Sequence, residues 1–373
     1  MNLLWITPYL PQKDGLASYS AQFISKLRRH HQVSIMTPDD FSLLPWRMRR
    51  AWQQLRKVRP EVVHVQYAIP AYGLGSFTLW VLLALARWRL GCRVVVTFHE
   101  VKRETALLGR AGLWYYRLIA KGIDMITVHT YEAAALLVQE CRVPRERVTM
   151  IPHPLYAPSL KKTPPAELDE MFDIAGKPVV LFFGFIHVDK GIDHLIKAFD
   201  IARRTDPHLK TARLVIAGSV RTRKPGLFKW FERYDHRYEA SLHELVRARR
   251  LKRAVIFTAY VPDAQVAQWF TRASVVVLPY TNLEQSGVLN QALTYRTPVI
   301  ASALGGLKET LDGTEALVPP ANAGALATQL SLFLTEPAHA AQLVAEYEKI
   351  RRPRTIGRVV AQIERLYAQG KQS

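Results

Sequence analysis

Short apolar runs recur along the chain with helix-like stretches between them, and this alternation leaves few folds open. In the first half, NLLWITPY, QVSIMTP, VVHVQYA, RVVVTFHE and DMITVHT have the length and composition of strands. LASYSAQFISKLRRH, WYYRLIAKG and YEAAALLVQE carry apolar residues at helical spacing. In the second half PVVLFFGFI, ARLVIAGS, AVIFTAYV, ASVVVLPY, TPVIASA and EALVPP repeat the strand signal, with GIDHLIKAFDIARRT and DAQVAQWFTRA among the helical runs. Strands that alternate with helices predict parallel sheets covered by helices. A stretch rich in proline and charge and poor in periodicity, 154–176, reads as a linker. The expectation is α/β, with two doubly wound Rossmann-like domains facing each other across a cleft. One spans 1–160 and the other 170–356, and a last amphipathic helix in 357–373 packs back on the first.

The 373 residues suffice for two domains. Lys and Arg number 51 against 31 Asp and Glu, a net charge of +20, which calls for an anionic partner: phosphorylated ligands, an anionic membrane surface or nucleic acid. No recognised nucleic-acid-binding module is present, so nucleic acid is not the expected partner. Cys92 and Cys141 form no disulfide framework and no metal motif. The opening MNLLWITPYLP lacks the basic start of a secretory signal. The most apolar stretch, FTLWVLLALARWRL, is cut by Arg87 and Arg89 below the roughly 18–20 residues of a spanning helix. A cytoplasmic protein is expected.

Two strand-to-helix loops carry the chemistry. FFGFIHVDKGIDHLIKAF places Gly184 after a strand and Lys190 and Gly191 just before a helix, where free amides and a positive dipole end join a lysine charge. That combination suits a diphosphate. EQSGVLNQALTYRTPVIAS follows an apolar run and starts a helix: Ser286 can cap it, Gly287 lets a phosphate approach the backbone, Glu284 can accept from sugar hydroxyls and Gln291 can reach a ribose. Two such loops in one domain favour a nucleotide diphosphate site. His99 stands at the end of RVVVTFHE, where strand ends line a ligand crevice. His64, His129 and His153 sit near other strand ends, and a structural role fits each of them equally well.

These segments resemble glycosyltransferase family 4, the retaining nucleotide-sugar glycosyltransferases of GT-B fold. The first loop is similar to the family's phosphate loop and the second to its donor segment. GLKETLDGTEALVPPAN and GLASYSAQFISKL, with VVVTFHE, VTMIPHP and FTAYVPDAQVAQWF, follow the family's order over nearly the whole chain. The resemblance implies catalytic roles for His99, Lys190 and Glu284. It implies a donor site of Gly15, Gly184, His187, Lys190, Glu284, Ser286, Gly287, Val288 and Gln291. Lys190 and the amides of 286–288 would hold the diphosphate, Glu284 the sugar, and Gly15 would lie under the phosphates from the N-terminal side. The acceptor would bind near Gly15, Tyr67 and His99.

With lysine and helix amides neutralising the leaving group, no metal and no cofactor beyond the nucleotide-sugar donor substrate is expected. The chain departs from the pattern at three places: the second of the family's paired glutamates is Gln291, the loop arginine is His187, and the glycine before PVIAS is Arg296. A sugar-nucleotide epimerase of similar architecture and a non-catalytic nucleotide-sugar binding protein fit the same residues.

Three basic stretches, PWRMRRAWQQLRKVRP, ARWRLGCR and RARRLKR, remain. The first interleaves Trp46 and Trp52 with arginine, which suits a membrane interface as well as a solvated face. The expected acceptor is therefore a glycan or lipid-linked intermediate of envelope polysaccharide synthesis. The protein would be peripheral at the inner face of the cytoplasmic membrane.

Overall fold

The alternation read from the sequence becomes two parallel sheets, one in each of two units. The computed structural model describes residues 1–9, 15–155, 166–222, 229–282 and 286–369. Unit 1 is Met1–Tyr156 with Pro353–Ser373, and unit 2 is Ala157–Arg352.

Unit 1 runs β1 (Asn2–Ile6), α1 (Gly15–Leu27), β2 (Gln32–Met36), α2 (Pro45–Val58), β3 (Val62–Tyr67), α3 (Ile69–Tyr72), α4 (Gly75–Leu90), β4 (Arg93–Phe98), α5 (Val101–Leu108), α6 (Arg110–Ala120), β5 (Met125–Val128), α7 (Tyr131–Gln139) and β6 (Val148–Met150). Unit 2 runs α8 (Ala166–Met171), β7 (Val179–Phe183), α9 (Ile192–Thr205), β8 (Arg213–Ala217), α10 (Lys229–Ala248), β9 (Val255–Phe257), α11 (Asp263–Arg272), β10 (Val275–Leu278), α12 (Gly287–Tyr295), β11 (Val299–Ser302), α13 (Gly305–Leu311), β12 (Leu317–Val318), α14 (Ala323–Thr335) and α15 (Pro337–Arg351). The chain then returns to unit 1 as α16 (Ile356–Ala368).

Among the described residues each sheet has six strands, ordered β2-β1-β3-β4-β5-β6 and β12-β11-β10-β7-β8-β9, and every pairing between them is parallel. Strands buried on both faces need apolar side chains at every position, which is why the runs read as continuous rather than alternating. The direction of winding reverses between β1 and β3 in unit 1 and between β7 and β10 in unit 2. Such reversals open a crevice at the carboxyl ends of the strands.

The two faces of the unit 1 sheet differ. Leu4, Ile6, Val63, Val65, Val94 and Val96 pack beneath α2, α4, α6 and α7. Leu3, Trp5, Val62 and Val95 meet α1 and α16 on the opposite face. The last helix shows how its sequence selects that place: Val359, Val360, Ile363, Leu366 and Tyr367 form one buried stripe.

A polar ladder runs beneath α16. His64 on β3 is fully buried, and its Nε2 accepts from the Thr97 hydroxyl at 2.8 Å and from Gln66 Nε2 at 3.2 Å. The ring proton therefore sits on Nδ1 and is donated to the Tyr367 hydroxyl at 2.5 Å. Thr97 and Thr127 continue the ladder at 2.6 Å. Tyr367→Phe should leave the His64 donor unpaired inside the core and lower stability by about 1–3 kcal/mol. Chemical denaturation checks this, and an unchanged midpoint would mean that the hydrogen bond contributes nothing.

One stretch differs from its sequence reading. Residues 166–176, inside the expected linker, belong to the fold of unit 2: Leu168 on α8 and Ile174 are buried, and Arg272 pairs with Asp169. A helix of six residues is too short for its period to emerge among the surrounding prolines and charges.

Candidate functional site

In unit 2, the loops after β7 and β10 meet where the winding reverses. After β7 the chain passes Gly184 (φ +122°) and forms a 3-10 turn, Val188–Lys190, before Gly191 (φ +59°) starts α9. A Cβ on Gly191 would lie 2.1 Å from the Pro279 carbonyl oxygen, so only glycine allows this approach. The Thr281 amide donates to the Asp189 carbonyl at 2.9 Å and ties the second loop to the first. Gly218 serves the same region from β8, since a Cβ there would lie 1.9 Å from the Gly184 oxygen.

Lys190 is partly buried, and its Nζ lies 3.8 Å above the centre of the Tyr280 ring. A cation held over an aromatic face is attracted by the ring quadrupole while losing part of its water shell. The Tyr280 ring is fully buried, and its hydroxyl has no hydrogen-bond partner among the described residues. Tyrosine at that position was not singled out from the sequence; its only signal there is its place just past the strand VVVL.

At the second loop the helix start carries the cap read from the sequence. Ser286 is the N-cap of α12, with its hydroxyl accepting from the Leu289 amide at 3.2 Å. Gly287 and Val288 occupy the first turn, where amides have no partner within a helix. Val288 is also the neighbour a Cβ on Gly184 would meet, at 3.7 Å, so the two glycine loops are in contact. Gln291 follows one turn later and is partly buried. Glu284 lies outside the described residues.

His187 is partly buried at the N-cap of the 3-10 turn. Its Nδ1 accepts from the Asp189 amide at 3.2 Å, and its Nε2 lies 3.5 Å from the carboxylate of the buried Asp235 on α10. The ring thus spans the distance between the loop and α10.

Gly191→Ala should disturb this junction more than any exposed change. Left-handed strain of about 1–2 kcal/mol adds to the clash with Pro279. Nucleoside diphosphate affinity, read by calorimetry, should fall at least about tenfold, and unchanged affinity would separate the loop from ligand binding.

In unit 1 the candidates lie at carboxyl ends of strands. Gly15 is the first residue of α1, the helix that follows β1. His99 follows β4; its amide donates to the Tyr67 carbonyl at 3.1 Å, and its Nε2 donates to Gln66 Oε1 at 2.8 Å. Gln66 is wholly buried, so it fixes the His99 ring and links it to the ladder of His64 and Thr97. Sequence reasoning missed Gln66, because only the register, which pairs Gln66 with Thr97, shows what it can reach.

The ring of His129 lies 4.9 Å from that of His99 and 5.2 Å from that of His153. His129 Nδ1 donates to the Ile151 carbonyl at 2.8 Å. Burial pushes His129 down to about 4 and His64 and His153 to about 3, and holds His99 well below the usual range. These rings are neutral at pH 7. Among the described residues no group of three or more His, Cys, Asp or Glu side chains is placed to hold a metal ion.

Tyr67 corrects an expectation. It is fully buried on the α4 face of the sheet, with its hydroxyl bonded to Ser76 at 3.0 Å and to Tyr115, so it is a core residue and not an acceptor contact. Strand alternation explains this, since Gln66 and Tyr67 must point to opposite faces.

Comparison with known proteins identifies the family. The family described as Glycosyl transferases group 1 matches residues 167–350, and Glycosyltransferase Family 4 matches residues 6–155. The chain is 25% identical to alpha-D-kanosaminyltransferase of Streptomyces kanamyceticus, over 66% of this chain and 63% of that protein. It is 23% identical to the GDP-mannose-dependent alpha-(1-6)-phosphatidylinositol monomannoside mannosyltransferase of Mycolicibacterium smegmatis, over 91% of each. Among solved structures, Anabaena HepE in complex with UDP superposes with a TM-score of 0.77 at 16% identity, covering 99% of this chain and 100% of that one. Sucrose-phosphate synthase from Thermosynechococcus elongatus superposes with a TM-score of 0.72 at 22% identity, covering 99% of each chain. With its two parallel-sheet units matched in order by these two families, the chain belongs to the family 4 glycosyltransferases of GT-B fold.

Proposed function

We propose that the protein is a retaining glycosyltransferase that moves a sugar from a nucleotide diphosphate donor to a hydroxyl acceptor. The observation that carries this reading is the junction of the Lys190 loop with the start of α12 where the sheet of unit 2 reverses its winding. A partly desolvated ammonium and the first amides of a helix are what a departing diphosphate needs as its charge grows. In this reading Lys190 and the amides of Gly287 and Val288 stabilise the leaving group without a metal ion. Gly184 and Gly191 let the loop approach it, Ser286 holds the helix start, and Gln291 bonds a ribose hydroxyl. Glu284 holds the donor sugar and Gly15 lies near the phosphates, both on the family resemblance alone. His99, neutral and oriented by Gln66, acts as a hydrogen-bonding group at the sugar rather than as a cation.

The relatives support a nucleotide-sugar donor: HepE was solved with UDP and also with UDP-glucose, and the mycobacterial relative is named for GDP-mannose. That relative's name also contains a phosphatidylinositol mannoside, in keeping with a lipid-linked acceptor here and a role in envelope polysaccharide synthesis at the cytoplasmic face of the membrane.

The test is thermal unfolding with UDP, GDP and ADP, followed by a sugar-transfer assay with the donor of whichever base binds. A ligand that binds only the folded state raises the midpoint. One nucleoside diphosphate should raise it, and its sugar conjugate should be consumed only when acceptor is present. Consumption without acceptor would indicate an epimerase, and binding without any turnover a non-catalytic protein. Either result would overturn the proposal.

A further inference from the structure

The most apolar stretch of the sequence is only half absorbed by the core. It forms α4, which is apolar on both sides. Leu79, Leu82, Leu83 and Ala86 face the core, while Phe77, Val81 and Trp88 line the outer side at helical spacing. Phe77 is 65% exposed and Trp88 73%. A helix apolar all round is at home inside a protein or against lipid, not facing water.

The neighbouring α6 repeats the pattern. Ala111, Trp114 and Leu118 form an outer stripe, with Trp114 68% and Leu118 64% exposed. The two helices cover the same face of the sheet and are joined by Trp80 Nε1, which donates to the Tyr115 hydroxyl at 2.8 Å. Arginine flanks each tryptophan: the Arg89 guanidinium lies 4.4 Å from the Trp88 ring and that of Arg117 5.4 Å from Trp114.

We propose that the outer faces of α4 and α6 dock unit 1 onto an anionic lipid bilayer, with Trp88 and Trp114 entering the interface. Charge selects this occupant. Of the helices on this side, α2, α4 and α6 together carry nine basic residues and no acidic one, and the Glu132 carboxylate of neighbouring α7 is paired with Lys102. A second copy laid face to face would bring like charges together, whereas anionic headgroups neutralise them, and the apolar stripes enter the acyl boundary. No helix among the described residues is long and apolar enough to cross a membrane, so the attachment lies in the plane of the interface.

The surface differs from the one expected from sequence, where Trp46 and Trp52 of α2 were the anchors. Trp46 is exposed, but Trp52 packs against the core, which leaves α2 as a mainly basic flank. The docking follows from the exposed surface alone; only its purpose, delivery of a lipid-linked acceptor, rests on the transferase reading.

The full-length protein would be floated with vesicles of phosphatidylethanolamine and phosphatidylglycerol, and separately with phosphatidylcholine vesicles. Wild type should bind the anionic vesicles and not the neutral ones. The Trp88→Glu/Trp114→Glu variant should bind at least tenfold less. Arg250→Glu/Arg253→Glu in unit 2, although a larger charge change, should stay within threefold of wild type. The same thermal midpoint and the same nucleotide-induced shift in the tryptophan variant would show that fold and donor site are intact, so loss of docking is read apart from loss of the transferase site. Brominated acyl chains should quench the fluorescence of wild type more than that of the variant. Failure of wild type to bind anionic vesicles, or equal binding by the tryptophan variant, would overturn the proposal. A dimer of wild type that dissolves in the variant, with no vesicle binding by either, would overturn it in favour of a second copy.

Discussion

Lys190→Ala is expected to slow sugar transfer by about a hundred- to a thousandfold, the range for removing one group that stabilises charge in a transition state. The loss should fall mainly on kcat, because the diphosphate of the intact donor carries less charge at the bridging oxygen than the departing one. Lys190→Arg keeps the charge but cannot place a compact ammonium over Tyr280, so partial recovery is expected. The thermal midpoint should barely change, since the Lys190 side chain is only partly buried. Steady-state kinetics with the donor identified by thermal shift would measure this. Turnover equal to wild type would remove Lys190, and with it the loop after β7, from the donor site.

The second large effect is on stability in acid. His64 and His129 are buried, and burial depresses them to about 3 and about 4. The hydrogen bonds give the same answer for His64, since Nε2 faces two donors and cannot take a proton without breaking both contacts. In the unfolded chain a histidine titrates near 6.5. The folded pKa lies below the unfolded one, so the unfolded state binds protons first. Stability is therefore full above about 6.5 and falls as pH drops through that value towards 4. At pH 5 each of these two histidines costs about 2 kcal/mol, from about 1.5 pH units at 1.4 kcal/mol each. Urea denaturation at pH 7 and pH 5 should show a loss of several kcal/mol, with unit 1 opening first. His64→Gln, whatever its effect at pH 7, should reduce the slope between the two pH values. An unchanged slope would mean that His64 is not a source of the acid sensitivity.

Much of this fold was legible because fully buried parallel strands write themselves as unbroken apolar runs. VVVLPY and VVLFFG could hardly be anything else. β6, Val148–Met150, was the exception in unit 1, being too short to rise above its surroundings. In the candidate site, Lys190, Gly191, Ser286 and Gly287 were readable because each acts through a local feature: a turn, a cap or a helix start. Tyr280, Gln66 and Asp235 were not, because each acts on a residue far away in sequence. Tyr280 lies under a lysine 90 positions earlier, and Gln66 reaches the next strand through a register that no single segment encodes. The outer stripe of α4 was visible as hydrophobicity but not as a surface, since periodicity cannot say which side of an all-apolar helix meets water.

The return of α16 to unit 1 has a consequence for how the chain is made. Unit 2 is an insertion within unit 1, contiguous from Ala157 to Arg352, so all of its residues are synthesised before α16. The N-terminal unit, although synthesised first, cannot finish until the last turns emerge. Until then the face of its sheet around Trp5, Val62 and Val95 has α1 but not the stripe of Val359, Ile363 and Tyr367. For nearly 200 residues of elongation, at about 5–20 residues per second, that apolar strip waits uncovered. The earlier half of the molecule should therefore be the one that engages chaperones during translation, and a stop codon shortly before residue 356 should release a nascent chain that aggregates through its beginning rather than its end.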